Sequence, residues 1–371
     1  MIVGVPKEIK ADENRVALLP FAVQRLTNLG CKVIIENNAG IGSGYTNTDY
    51  INSGAIVLEK SSEVFAQSDM IIKVKELQPT EFEIVREEQI IFTYFHFAAD
   101  KKLTDNFIES NAIAISYETV QKDDGSLPLL VPMSEVAGRM AIQNGAKALE
   151  ANMGGKGLLL SGVPGVEPAT VTILGGGIVG MNAAKLAAGL GSKVYILDVS
   201  ANRLKYLDDI MPSNVFTLYS HEHNIKEVLS RTDLLIGSVL IPGAKAPKLV
   251  NREMLSILKP GSVIVDVAVD QGGCIETSKP TTHKNPTFVV DDIIHYCVAN
   301  MPGAVPFTST TALCNVTYPY IEYIVENGLK KALLNNSSLA KGLNIYKGKI
   351  THQGVSDAFN YNFTNFKDII Q

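Results

Sequence analysis

An α/β protein with two doubly wound, mostly parallel sheets, one domain inserted into the other, is the fold class that the sequence predicts. Three observations carry the prediction. Short β-branched runs alternate with amphipathic stretches through the first third of the chain; the rhythm breaks around residues 128–132; and it then resumes. The length of 371 residues, 46% hydrophobic and 19% charged with 30 glycines, suits two such domains.

Taken in order, residues 2–5, 33–36, 55–58, 70–75, 90–95 and 113–117 are short, apolar and bounded by turn residues, so each reads as a buried strand. Between them, 21–29, 61–67 and 103–110 are amphipathic, as helices covering a parallel sheet should be. Residues 134–153 read as one long helix, with Ser134 as N-cap, apolar positions at Val136, Met140, Ala141, Ala148 and Leu149, and a stop at Gly154 and Gly155. This helix makes the crossing between domains. Strands resume at 171–174, 193–197, 215–218, 234–236, 262–267, 288–290 and 295–298. After Pro306 an apolar helical segment runs to about residue 334, and a polar tail without a sheet of its own packs back on the first domain. The expected domains are therefore 1–127 with 307–371, and 128–306.

The formal charge of −5, from 38 acidic and 33 basic residues without long blocks, leaves no electrostatic footprint for nucleic acid or anionic membrane. Four cysteines, at 31, 274, 297 and 314, form no close pair, so neither a metal site nor a disulfide framework is expected. The opening MIVGVPKEIKADENR is charged by position 7, so no signal peptide is expected there, and no window reaches 18 uninterrupted apolar residues. A soluble, cytoplasmic protein is expected, with neither nucleic acid nor membrane as partner.

VTILGGGIVGMNAAKLAAGLGSKVYILD, residues 171–198, is the strongest local signal. Gly175, Gly177 and Gly180 form G-x-G-x-x-G directly after a strand and opening a helix. The glycines serve a tight turn, close approach of backbone to a pyrophosphate, and close packing of helix on strand. The helix amino terminus adds free N–H groups and partial positive charge for phosphates. Asp198 ends the next strand, where a carboxylate binds the adenosine ribose hydroxyls and repels a 2′-phosphate. NAD is therefore the expected cofactor, a preference that Arg203 softens without reversing. The bland alternative is a glycine-rich turn beside a solvated aspartate, and the ordered strand, turn, helix, strand and acid outweigh it.

Ligands of parallel sheets bind outside the carboxyl ends of the strands. Arg15 follows the first strand, Lys75 closes MIIKVK, His96 closes IIFTYF and Glu118 follows IAISY. In the second domain Asp198, Ser220, Ser238, Asp270 and Asn300 follow strands closely, Asp270 within VDVAVDQGG. Each has a bland reading: a core histidine, a snorkelling lysine, half of a salt bridge, a turn former. Grouped on two polar rims that build a cleft, with cofactor on one side and substrate on the other, they favour chemistry. Arg15 and Lys75 suit a small carboxylate, the arginine bidentate and the lysine as a point charge. A histidine, titrating near about 6.5, exchanges protons around neutrality. Asp270 can orient the water or ammonia that attacks a carbonyl or imine carbon. The set suits oxidation of a small amino or hydroxy acid at its α-carbon.

GVPKEIKADENRVALLP, FHFAAD, VPMSEVAGRMA, LGGGIVG, VLIPGAKAPKLV, VDVAVDQGGCIETSKPTTH and HYCVANMPGAVP closely resemble the alanine dehydrogenase family, from residue 1 to about 359. More distantly they resemble the NAD-binding subunits of proton-translocating transhydrogenases, the alternative function. The resemblance implies two Rossmann-like domains, with the NAD-binding one inserted into a discontinuous substrate domain. It further implies reversible conversion of L-alanine to pyruvate and ammonia with NAD, and a homo-hexamer. By motif, Arg15 and Lys75 would bind substrate, and His96 and Asp270 would be catalytic. Cofactor contacts would come from Ser134, Gly175, Gly177, Ile178, Val179, Gly180, Asp198, Arg203, Ser220, Val239, Leu240, Val267, Ala268, Val269, Asp270, Lys279, Val298, Ala299, Asn300 and Met301. Leu77, Phe307 and Lys279 depart from the residues usual in the family.

Overall fold

The computed structural model describes residues 1–239 and 246–370. The chain divides into two compact units, Met1–Met133 with Gly303–Gln371, and Ser134–Pro302. Strands β1 (Ile2–Val5), β2 (Lys32–Glu36), β3 (Ile56–Leu58), β4 (Met70–Ile72), β5 (Ile90–Thr93) and β6 (Ile113–Ser116) open the first unit. The second holds β7 (Thr170–Leu174), β8 (Lys193–Asp198), β9 (Val215–Tyr219), β10 (Leu234–Gly237), β11 (Val263–Asp266), β12 (Thr287–Val290) and β13 (Ile293–Tyr296). The returning segment adds β14 (Leu343–Tyr346) and β15 (Lys349–Ile350) to the first unit.

The first sheet has the order β15-β14-β6-β5-β4-β1-β2-β3, and β1 to β6 pair parallel throughout. Its strands read as unbroken apolar runs because both faces are buried. Val33 and Ile35 join one core cluster and Ile34 the other; Met70 and Ile72 part from Ile71 in the same way, and Ile90 and Phe92 from Ile91. The second sheet, β12-β13-β11-β10-β7-β8-β9, is parallel except for the edge pair β12–β13. In both sheets the strand order reverses beside the first strand, at β1/β4 and at β7/β10, the places where doubly wound sheets open a crevice at their carboxyl ends.

Three expectations need correction. The long helix is Val131–Ala148, followed by a 3-10 turn at Ala151–Met153, so Ser134 lies within its first turns and is not its N-cap. Pro132 explains the earlier start, since a proline needs no amide partner in the first turn. The runs ending at Lys75 and Phe95 are strands only to Ile72 and Thr93: the Lys73 and Tyr94 amides still bond to the carbonyls of Phe92 and Val74, but beyond them carboxylates take the amides of Val74 and His96. The tail is not merely packed on the first unit. β14 pairs antiparallel with β6, and β14 and β15 form a hairpin turning at Lys347 (φ 48°) and Gly348 (φ 76°).

Candidate active site

In the first unit Arg15, Lys75, His96 and Glu118 follow β1, β4, β5 and β6, four strands adjacent in that sheet. Each of the first three is held by a carboxylate. Glu13 accepts from the Arg15 amide at 3.1 Å and from Nε at 2.6 Å, and also pairs with Nη2, while Nη1 reaches the Met133 sulfur at 3.1 Å. Both charged side chains are buried, so the guanidinium plane is fixed in direction. Arg15 is thus half of a salt bridge, as its bland reading supposed, and an oriented cation as well.

Lys75 is half-buried. Burial pushes its amine below the ordinary lysine range, and the positive charges of Arg15 and Lys10 push in the same direction. Its backbone rests on Glu8, whose Oε1 accepts from the Val74 amide at 2.6 Å and the Lys75 amide at 3.4 Å. The other Glu8 oxygen accepts from Lys73 at 3.1 Å, and Lys73 donates also to Glu81 at 2.7 Å, all three side chains being buried.

His96 is exposed, whereas Phe95 and Phe97, stacked at 4.4 Å, are buried on either side of it. The histidine backbone is left-handed, φ 55° and ψ 37°, a conformation disfavoured without a glycine. The Glu118 carboxylate accepts from its amide at 2.6 Å and from the Phe95 amide at 3.3 Å. Tyr94, anchored by its hydroxyl to the Leu129 carbonyl, stacks on the imidazole at 6.1 Å. The apolar run therefore anchors a turn that turns His96 outward.

In the second unit the glycine loop has the geometry a pyrophosphate needs. Gly175 is left-handed (φ 99°), and a Cβ at Gly180 would lie 1.9 Å from the Gly175 carbonyl, so helix Ile178–Gly189 can approach only as glycine. Gly177, by contrast, has open space where its Cβ would be. Asp198 accepts from the Gly176 amide at 2.7 Å and the Ser200 amide at 2.8 Å, each oxygen keeping a lone pair for a ribose hydroxyl. Arg203 donates to the Gly176 and Gly177 carbonyls and lies over Tyr206, so it braces the loop. The Ser220 amide donates to the Asp198 carbonyl, and Ser238 Oγ to the carbonyls of Leu174 and Gly175. Val239 lies against Gly175; Leu240 lies outside the described residues.

Asp270 is exposed on a 3-10 turn, Val267–Gln271, after β11. The amide of Asn300, itself left-handed at φ 59°, approaches its Oδ2 at 3.5 Å. Val298 and Met301 are buried beside it in sequence, and Lys279 lies over the Phe288 ring at 4.5 Å. Of the departures from the usual family residues, Leu77 is buried in the core and Phe307 stacks on Tyr45. The residues that sequence reasoning missed are the carboxylates behind the site, Glu8, Glu13 and Asp266, and the ring of Tyr94. The only signal for the two glutamates was their place seven and two positions before Arg15 in KEIKADENR.

A two-unit α/β protein with a dinucleotide loop on one sheet and a cationic, histidine-bearing rim on the other is a nicotinamide-dependent oxidoreductase by architecture. The chain belongs to the alanine dehydrogenase/PNT family: the N-terminal domain profile matches residues 4–137 and the C-terminal one residues 141–353. An alanine dehydrogenase of Methanococcus maripaludis is 55% identical over 365 residues, 98% of each chain, and one of Halomonas elongata 49% identical over 370 residues, the whole of both. A solved L-alanine dehydrogenase superposes with a TM-score of 0.94 at 48% identity, covering 97% of this chain and 99% of that one. A Sinorhizobium meliloti transhydrogenase, at 23% identity and a TM-score of 0.80, shares the fold.

Proposed function

We infer that the protein converts L-alanine, NAD and water reversibly into pyruvate, ammonium, NADH and a proton. The observation that carries this reading is the gathering of Arg15, Lys75 and His96 after adjacent strands in a chain 55% identical to an alanine dehydrogenase along its length. The open Gly177 and the Asp198 carboxylate fit NAD, which when bound takes up the hydride from the α-carbon of alanine.

The residues do the rest. Arg15, its plane fixed by Glu13, binds the substrate carboxylate, and Lys75 holds the oxygen that becomes the pyruvate carbonyl. Asp270 orients the water that adds to the imine carbon, and His96 takes and returns the protons that let the amine depart. The other named cofactor contacts are proposed from their positions in the matching motifs, and the division into a discontinuous substrate domain and an inserted NAD-binding domain is proposed along the limits of the two compact units rather than at 127 and 307. A homo-hexamer is proposed as well. Exposed Leu159, Val163 and Val166, on and beside a small hairpin, give it apolar surface to bury. Cytoplasmic residence is proposed from four free cysteines and from the absence, among the described residues, of any helix long and apolar enough to cross a membrane.

The test is alanine-dependent NADH formation by wild type and His96→Gln. The variant keeps volume and a hydrogen bond but cannot titrate near neutrality. It should fold, bind NADH and lose about 10²–10⁴-fold in rate. Near wild-type turnover would remove His96 from the chemistry, and a wild type that binds NADH without alanine-dependent turnover would favour the transhydrogenase-subunit alternative.

A further inference from the structure

The segment Ala246–Val250, from the APKLV part of the sequence, runs beside the loop that carries Asp270. The Ala246 amide donates to the Gln271 carbonyl at 3.1 Å, the Leu249 amide to the Cys274 carbonyl at 2.8 Å, and the Glu276 amide to the Val250 carbonyl at 2.9 Å. From this brace the Lys248 ammonium reaches three carbonyls of the loop: Gly272, Gly273 at 2.9 Å and Ile275 at 3.1 Å. A lysine has three donors, and each has an acceptor here. On the other side the buried Asp266 accepts from the amides of Ala268 at 3.1 Å and Ile275 at 3.2 Å. The loop thus closes with its amides on an anion and its carbonyls on a cation. Its turn passes through left-handed Gly272 and Gly273, and a Cβ at Gly273 would lie 2.6 Å from Asp266.

We propose that Lys248 is a positioning residue for Asp270, holding the loop from residue 267 to 275 so that the Asp270 carboxylate is presented in one orientation for water addition. This rests on the role proposed for Asp270. Three converging carbonyls repel one another, and with the ammonium removed the glycine turn is free to relax. The carboxylate then samples orientations that are unproductive, and small misplacements of a catalytic group are expensive in rate. Lys248 is exposed, whereas Asp266 is not, so the lysine can be changed without opening the core.

Lys248→Met keeps most of the stem and removes the charge. It should lower kcat roughly ten- to a hundredfold and raise the KM for NAD by a smaller factor, because the contacts proposed at 267–270 lie on this loop while Gly175 to Gly180 and Asp198 do not. Lys248→Arg, which restores donors, should recover part of the loss. Hydrogen exchange should rise in peptides covering 267–275 and stay unchanged in those covering β7 and β8. In an Asp270→Asn background, Lys248→Met should reduce the residual rate by less than about twofold, since a residue acting through Asp270 has nothing left to position. Wild-type kcat and protection in Lys248→Met would overturn the proposal, as would a proportional loss in both backgrounds. Asp270→Asn with full turnover would instead overturn the role of Asp270 itself. Should Lys248→Met not fold, Lys248→Gln is read by the same cycle.

Discussion

Lys75 stands half-buried with its amine pushed below the usual lysine range, chiefly by burial and then by Arg15 and Lys10. For a lysine this direction means that the folded state binds its proton less tightly than the unfolded chain does. The charged form therefore weakens the fold below the folded-state pKa, and the penalty fades as pH rises from there towards the unfolded value. Lys75→Met should raise Tm near neutral pH, with the gain shrinking in alkaline solution. The same variant should lose tenfold to a few hundredfold in kcat/KM, the worth of a charge-assisted hydrogen bond of about 1.5–3 kcal/mol. Normal alanine kinetics would return Lys75 to an ordinary solvated lysine. Asp198, proposed above to hold the ribose, also accepts from the Gly176 amide. Asp198→Gly should narrow the preference for NAD over NADP and also raise the KM for NAD about tenfold or more, from the lost charged hydrogen bond. A KM for NAD as in wild type would show that the loop does not depend on this carboxylate.

At the scale of elements, the site rests on segments just past the strand ends whose amides are taken by acids. Glu8 accepts from the segment after β4 and Glu118 from the turn after β5. Satisfying these amides off the sheet ends each strand early and sets the direction in which Lys75 and His96 leave it. Under β4 the arrangement is a buried triad, two carboxylates on Lys73. Removing the cation leaves two buried acids facing each other. Lys73→Met should cost about 3–5 kcal/mol in denaturant unfolding, far beyond a surface salt bridge. A loss below about 1 kcal/mol would mean that the triad relaxes or takes up protons without strain.

Across the whole molecule, two histidines carry a penalty for acid. His295 is fully buried between Thr277 and the Ile293 carbonyl, and His352 is half-buried at the start of helix Gln353–Phe359. Burial depresses both below 6.5. The unfolded chain thus takes up these protons first as pH falls, so stability declines from about 6.5 downward. Glu8 and Asp266, pushed up by burial, act in the opposite sense from the carboxylate range upward. A wild-type-minus-variant comparison isolates the histidine. The fall in Tm between neutral and mildly acid pH should be shallower in His352→Gln than in wild type, and parallel curves would assign the acid limb to other groups.

The sequence by itself determined the parallel-sheet class, the glycine loop with Asp198, and the chemical identities of Arg15, Lys75, His96 and Asp270. These are local facts: apolar periodicity, turn residues and spacing within a few positions report them directly. The tertiary structure decided what depends on partners far apart in the chain. It set β6, β5, β4 and β1 side by side, which makes one rim of four separate strand ends. It brought Glu8 to Val74 across 66 positions, Glu118 to His96 across 22 and Lys248 to Gly273 across 25. It also turned the polar tail into β14 and the edge strand β15, whose four and two residues are too short to signal themselves by pattern. A carboxylate that accepts a backbone amide leaves no periodicity in the sequence, because its partner is chosen by the packing of whole elements and not by its neighbours.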